Sequence, residues 1–233
     1  MRPAACDPPE IESQLWAGLG GEVGWDIGAN CGQSVPRMRN AARRVVCFEP
    51  AQESFEVLQR IYGSVEDFAV RQLAVSDHDG EVTLGVLEQQ IATGQLVSPG
   101  THGMEWDPAT GWDDIPNRVV PCRTVDSLAR EYGKPDFIKV DTEGHELKVL
   151  QGAIVTLARG TDWLIEFHSP ELHEACEEIL LGGGYDPYVI RHPHYPKGGH
   201  MWRQHGWLKA FRPPREPFPP EVATRPMETI HLP

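Results

Sequence analysis

Five short apolar runs set the frame: VGWDI at 23–27, RVVCFE at 44–49, VRQLAV at 70–75, DFIKV at 136–140 and WLIEF at 163–167. Each is apolar almost throughout rather than at alternate positions, which is how strands read when both faces of a parallel sheet are covered. Parallel neighbours need crossovers long enough for a helix, and the intervening segments supply them. Residues 33–42 have room for a short helix, with Pro36 tolerable in its first turn. Over 51–62, Phe55, Leu58, Ile61 and Tyr62 recur at helical spacing before Gly63, a stripe that reads as core packing. RTVDSLAREYG starts from Thr124 as an N-cap and stops on Gly133. HELKVLQGAIVTLARG reads as a helix interrupted near Gly152, and 171–181 as another. This alternation predicts an α/β fold, a mostly parallel sheet with helices on both faces.

Three regions leave that rhythm. DGEVTLGVL at 79–87 enters an extra strand through an Asp-Gly turn, as half of an inserted hairpin. Residues 88–117, rich in Gly, Pro, Trp and Asp, are long for a connection and are expected to form a lid loop. Residues 212–233 are proline-rich and expected to be an extended tail, leaving 1–211 as a single domain.

A formal net charge of −13 opposes binding to phosphate backbones, and no basic stripe offsets it, so no nucleic-acid partner is expected. The five cysteines form no CxxC pair or zinc spacing and read as reduced thiols of a cytoplasmic protein. The opening MRPAACDPPE has no apolar segment behind it, and no run approaches the length of a membrane span. A cytoplasmic, membrane-free location is the expectation.

The chemistry begins in EVGWDIGANCGQSV, residues 22–35. Gly28 and Gly32 give G-x-x-x-G, neither the G-x-G-x-x-G of a dinucleotide fold nor a nucleoside triphosphate loop. Asp26 at the strand tip would repel a diphosphate and suit a ligand carrying positive charge. Glu49 stands 49 − 28 = 21 residues past the first glycine, at the end of the next strand. That is the place for an acid that accepts both ribose hydroxyls of an adenosine. Asp141 closes a third strand tip, and ligands of open α/β sheets lie at those carboxyl ends. The combination suggests S-adenosylmethionine.

VGWDIGANCGQS, VVCFEP, LAVSDHDGEVTL, RTVDSL, DFIKVDTEGHELKVLQGA and LIEFH occur here in the order of the FkbM family of S-adenosylmethionine-dependent methyltransferases. The chain resembles that family from about residue 21 to 170. The resemblance implies a class I methyltransferase (Rossmann-like) fold, a seven-stranded sheet with its last strand antiparallel. It also implies O-methylation of a hydroxyl on a small sugar-containing or polyhydroxylated natural-product acceptor. Carried over by position, Asp26, Gly28, Asn30 and Gly32 would line the methionine end of the cofactor. Glu49 would hold the ribose, Ala74 and Val75 would flank the adenine, and Asp141 would lie beside the amino-acid moiety.

Methyl transfer to a hydroxyl needs alignment, which supplies roughly 7–11 kcal/mol, and a proton acceptor, which supplies about 10²–10⁴-fold. DTEGHE offers Glu143, His145 and Glu146 beside Asp141; LIEFH offers Glu166 and His168. Residues two apart on a strand share a face, so Glu166 and His168 stand together. His168 is expected to be the base, with Glu143 and His145 behind it, while Glu146 suits a helix N-terminus. Asp141, Glu166 and His168 could also gather around Mg²⁺, although its preference for oxygen ligands makes the histidine a poor partner. The histidines at 192, 194, 200 and 205 read as an acceptor loop or surface rather than a zinc site. Two rival readings remain: a nicotinamide-dependent oxidoreductase, and a non-catalytic cofactor-binding module.

Overall fold

The computed structural model describes residues 9–85, 117–191 and 205–211, together with Lys197 and Gly199. Its centre is β1 (Gly21–Ile27), parallel on one side to β2 (Ala42–Phe48) and on the other to β7 (Phe137–Val140). Beyond β2 lies β3 (Phe68–Arg71); beyond β7 lie β8 (Asp162–Phe167), β10 (Gly206–Phe211) and β9 (Asp186–Arg191). The seven-stranded order is therefore β3-β2-β1-β7-β8-β10-β9, and β10 runs antiparallel to both of its neighbours.

Side chains alternate across this sheet and fill two cores. On one face Trp25, Ile27, Phe48, Ile138 and Ile165 meet Val125 and Leu128 of α4 (Val125–Tyr132), and Val149 and Leu150 of α5 (Glu146–Gln151). Leu157 of α6 (Ile154–Ala158), and Cys176 and Leu180 of α7 (Pro170–Gly182), complete that layer. On the other face Val45, Cys47, Phe137 and Leu164 meet Leu15 of α1 (Pro9–Trp16), Met38 of α2 (Val35–Ala41) and Leu58 of α3 (Gln52–Tyr62). A wholly buried leucine such as Leu58 or Leu128 contributes roughly 1.5–3 kcal/mol. The expected caps are in place: the Thr124 hydroxyl accepts from the Ser127 N–H at 3.1 Å, and Gly152 separates α5 from α6.

VRQLAV does not form one strand. The backbone turns at Gln72–Leu73, with the Leu73 N–H donating to the Arg71 carbonyl, and Ala74–Val75 leave the main sheet as β4. They pair with β6 (Asn117–Arg123), which pairs in turn with β5 (Gly80–Gly85) in an antiparallel hairpin. Of the lid expected over 88–117, Asn117 opens β6 instead, and 88–116 lie outside the described residues, as does the tail at 212–233.

On β10 the side chain of Lys209 is buried, and its ammonium donates to the carbonyls of Gln14 and Ala17. Those carbonyls belong to the C-terminal end of α1, where a cation is favourable. Burial pulls the lysine down to about 7. No helix of the described residues is long and apolar enough to cross a membrane.

Candidate active site

The tips of β1, β2, β4 and β7 enclose a cleft of about 510 Å³, counted to its open mouth. Six of the residues expected to bind the cofactor line it: Gly28, Asn30, Glu49, Ala74, Val75 and Asp141. Leu73, Leu84 and Phe48 extend the apolar wall around Ala74 and Val75, and Glu143 stands beside Asp141.

Local backbone dictates the loop after β1. Gly28 has φ 75°, and a Cβ there would lie 1.8 Å from the carbonyl oxygen of Asp141, so the tips of β1 and β7 can meet only through a glycine. Asn30 is also left-handed, with φ 49°, and its N–H donates to Glu49 Oε2 at 2.7 Å. Glu49 Oε1 accepts from the Ala51 N–H at 2.8 Å. One carboxylate thus ties the first loop to the second. Burial pushes Glu49 up to about 7, although the two backbone donors pull the other way. Each of its oxygens keeps capacity for a further donor.

Asp26 and Gly32 do not line the cleft. Gly32, with φ 91°, faces Leu58 and Tyr62 of α3, so its missing side chain serves helix packing. The register places Asp26 beside Lys139, and their charged atoms lie 3.2 Å apart. The positive charge expected opposite Asp26 is therefore the protein's own lysine. Lys139 also reaches Asp141 Oδ2 at 3.2 Å and the Gly28 carbonyl at 3.4 Å. Burial opposes its charge, but Asp141 and Asp26 outweigh that and hold it above the ordinary lysine value.

The loop after β7 is fixed by Glu146, which is wholly buried at the start of α5. Its Oε1 accepts from the Thr142 N–H at 3.0 Å, the Thr142 hydroxyl at 3.1 Å and the Gly144 N–H at 3.1 Å. It also meets His168 Nδ1 at 3.2 Å. The other ring nitrogen of His168 faces Glu143 Oε2 at 3.3 Å and Asp141 Oδ1 at 3.8 Å. Burial would lower this histidine, yet the hydrogen bond and charge of Glu146, then Glu143 and Asp141, raise it to about 10. At neutral pH His168 is an imidazolium, which is a poor starting state for the proton acceptor expected at that position. Glu143, left-handed with φ 55°, joins the cleft to this cluster. Burial raises its carboxyl, with Asp141 and Glu146 adding to the rise against His168.

Glu166 stands next to this group, accepting from the Trp207 indole at 3.2 Å and raised to about 8 by burial and then Asp141. His145 is not part of it. Its ring is buried, with Nε2 2.9 Å from the Ser76 hydroxyl, and it does not line the cleft. Ligand atoms of Asp141, Glu143 and His168 fall within 4.8 Å of one another. Mg²⁺ prefers oxygen ligands in tight octahedral geometry, and the imidazole nitrogen in this set does not fit it.

Sequence reasoning missed Lys139, which was readable only as the odd polar residue in an apolar run. Glu146 sits at the helix N-terminus as expected and meets His168 as well. His205 lies across from His168, ring centroids 5.5 Å apart and planes at 89°.

The profile of the methyltransferase FkbM domain matches residues 26–187. Hexuronic acid methyltransferase AglP of Haloferax volcanii is 27% identical over 154 residues, 64% of this chain and 56% of that protein, so the chain spans little over half of this curated relative. Methyltransferase FkbM from Methylobacillus flagellatus superposes with a TM-score of 0.52 at 18% identity, over 82% of this chain and 44% of that one. N-methyltransferase NodS from Bradyrhizobium japonicum superposes at 0.50 and 9% identity, over 89% and 98%. At such identities the two structures speak for the fold, that of class I methyltransferases. With the profile covering most of the described sheet and the acids of both strand tips, the chain belongs to the FkbM family of methyltransferases.

Proposed function

We propose that the protein transfers a methyl group from S-adenosylmethionine to a hydroxyl of a sugar-containing acceptor. The observation that carries this reading is the cleft itself. A buried carboxylate with spare acceptor capacity, Glu49, stands at one side, Ala74 and Val75 form an apolar wall, and Asp141 and Glu143 stand at the other side. That set fits the cofactor group by group. Glu49 would accept from the ribose hydroxyls, the wall would take the adenine, and the backbone at Gly28 and Asn30 with Asp141 would hold the amino-acid end. When bound, the cofactor supplies a methyl group already activated by positive sulfur.

The protein's own residues then align the acceptor and take its proton. Glu143 is the group to receive it, since it borders the cleft and burial raises its carboxyl above the ordinary value. His168, held between Glu146 and Glu143, orients that carboxylate and balances the charge of the cluster. The sugar acceptor is supported by the hexuronic acid methyltransferase relative. Calorimetry with S-adenosylmethionine, with NAD as the control, tests the cofactor. Release of S-adenosylhomocysteine across a panel of sugars and glycosides tests the reaction; cofactor binding without release from any acceptor would reduce the protein to a binding module.

A further inference from the structure

The family profile ends at residue 187, yet the cluster of acids around His168 has a neighbour from beyond it. β10 pairs antiparallel with β8, and the last register pair at that end joins Gly206 to Phe167. One step further sets His205 opposite His168, at the mouth of the sheet. Gly206 permits the approach, since a Cβ there would lie 2.8 Å from the Phe167 ring. The two imidazoles meet at 5.5 Å with planes at 89°, the edge-to-face arrangement that aromatic pairs favour.

His168 is held by contacts at its two ring nitrogens, Nδ1 to Glu146 and Nε2 to Glu143. They fix the direction in which the ring points but leave it free to tilt about the line joining them. A ring packed perpendicular to it removes that freedom.

We propose that His205 is a positioning residue of the methyl-transfer site, acting through His168 to hold Glu143 in line with the acceptor hydroxyl. The proposal rests on the methyltransferase reading and adds to it a residue from outside the family-matched stretch. It gives the strand that completes the sheet a second task, closing the acceptor side of the site. Misplacement of a reacting group by an ångström can cost about 10²-fold in rate.

The test compares His205→Ala with His205→Phe, which keeps an aromatic ring without imidazole nitrogens. His205→Ala should lose roughly 10- to 100-fold in kcat, with KM for the acceptor and Kd for S-adenosylmethionine unchanged. His205→Phe should restore most of it. Long-range ¹H–¹⁵N spectra should show the His168 ring signals displaced in the alanine variant and returned in the phenylalanine variant. Wild-type kcat in His205→Ala overturns the proposal. So does a His205→Phe variant as impaired as His205→Ala at an unchanged melting temperature, because the imidazole would then be acting through its nitrogens. If the alanine variant fails to fold, His205→Leu replaces it in the same comparison. Wild-type protein that binds no S-adenosylmethionine would sink the methyltransferase reading instead.

Discussion

Lys139 and Asp26 meet at 3.2 Å inside the sheet, the aspartate wholly shielded from water. Removing one member of such a pair strands the other, at a cost of about 3–5 kcal/mol. Lys139→Met should therefore destabilise by that order in urea unfolding. The double variant Lys139→Met/Asp26→Asn should recover a good part of the loss, because no unpaired carboxylate remains at Asp26. A single variant as stable as the parent would show that the pair does not hold the strand tips together.

Glu49→Ala should weaken S-adenosylmethionine binding by about 10- to 150-fold, since a hydrogen bond to a charged group contributes roughly 1.5–3 kcal/mol. The structure adds a second effect. The N–H groups of Asn30 and Ala51 lose their acceptor, so the variant should also melt at lower temperature. Glu49→Gln keeps one amide oxygen and should fall between. Calorimetry and thermal melting read the two effects separately; unchanged affinity in folded Glu49→Ala would remove the ribose assignment.

Glu143→Gln should retain S-adenosylmethionine affinity and lose about 10²–10⁴-fold in turnover, the usual contribution of a proton acceptor. His168→Gln should lose less, because it removes a partner of Glu143 rather than the acceptor itself. Steady-state kinetics with matched cofactor binding decides the order. A His168 variant worse than the Glu143 variant would return the base role to the histidine.

His168 also predicts a pH dependence of stability. Its folded value, about 10, stands above the ordinary 6.5. Between those values the folded chain holds a proton that the unfolded chain has released. The contribution is complete below about 6.5 and is lost as pH rises through about 10. Glu166, raised to about 8, also favours the protonated folded state and loses its share over a lower range, from 4.5 upward. Urea unfolding of wild type and His168→Gln should differ most near pH 6 and converge above pH 10. A gap that widens with pH would contradict the sign.

What was legible in the sequence was local. The Thr124 cap, the stripe of α3 and the apolar runs of β1, β7 and β8 each announce themselves within a few residues, and the resemblance ordered them into a sheet. β6 was hidden by Pro121, which cannot donate to a ladder. β10 was hidden by Lys209, whose burial makes sense only once α1 lies above it to offer carbonyls. The gathering of Gly28, Asn30, Glu49, Ala74, Val75 and Asp141 around one cleft was legible because it follows from strand tips and their spacing. The charge state of His168 was not, because it depends on Glu146 and Glu143 converging from another strand's loop.

The placement of β10 between β8 and β9 governs assembly as well as architecture. During synthesis β8 and β9 emerge first; β8 can pair with β7, but its other edge, like β9, must wait for residues 206–211. Until then both strands present unpaired edges, the surfaces by which partly made sheets stick to one another. The last strand acts as a keystone. A fragment cut to residues 26–187, the stretch that carries the family's profile, would lack it and should be prone to aggregate.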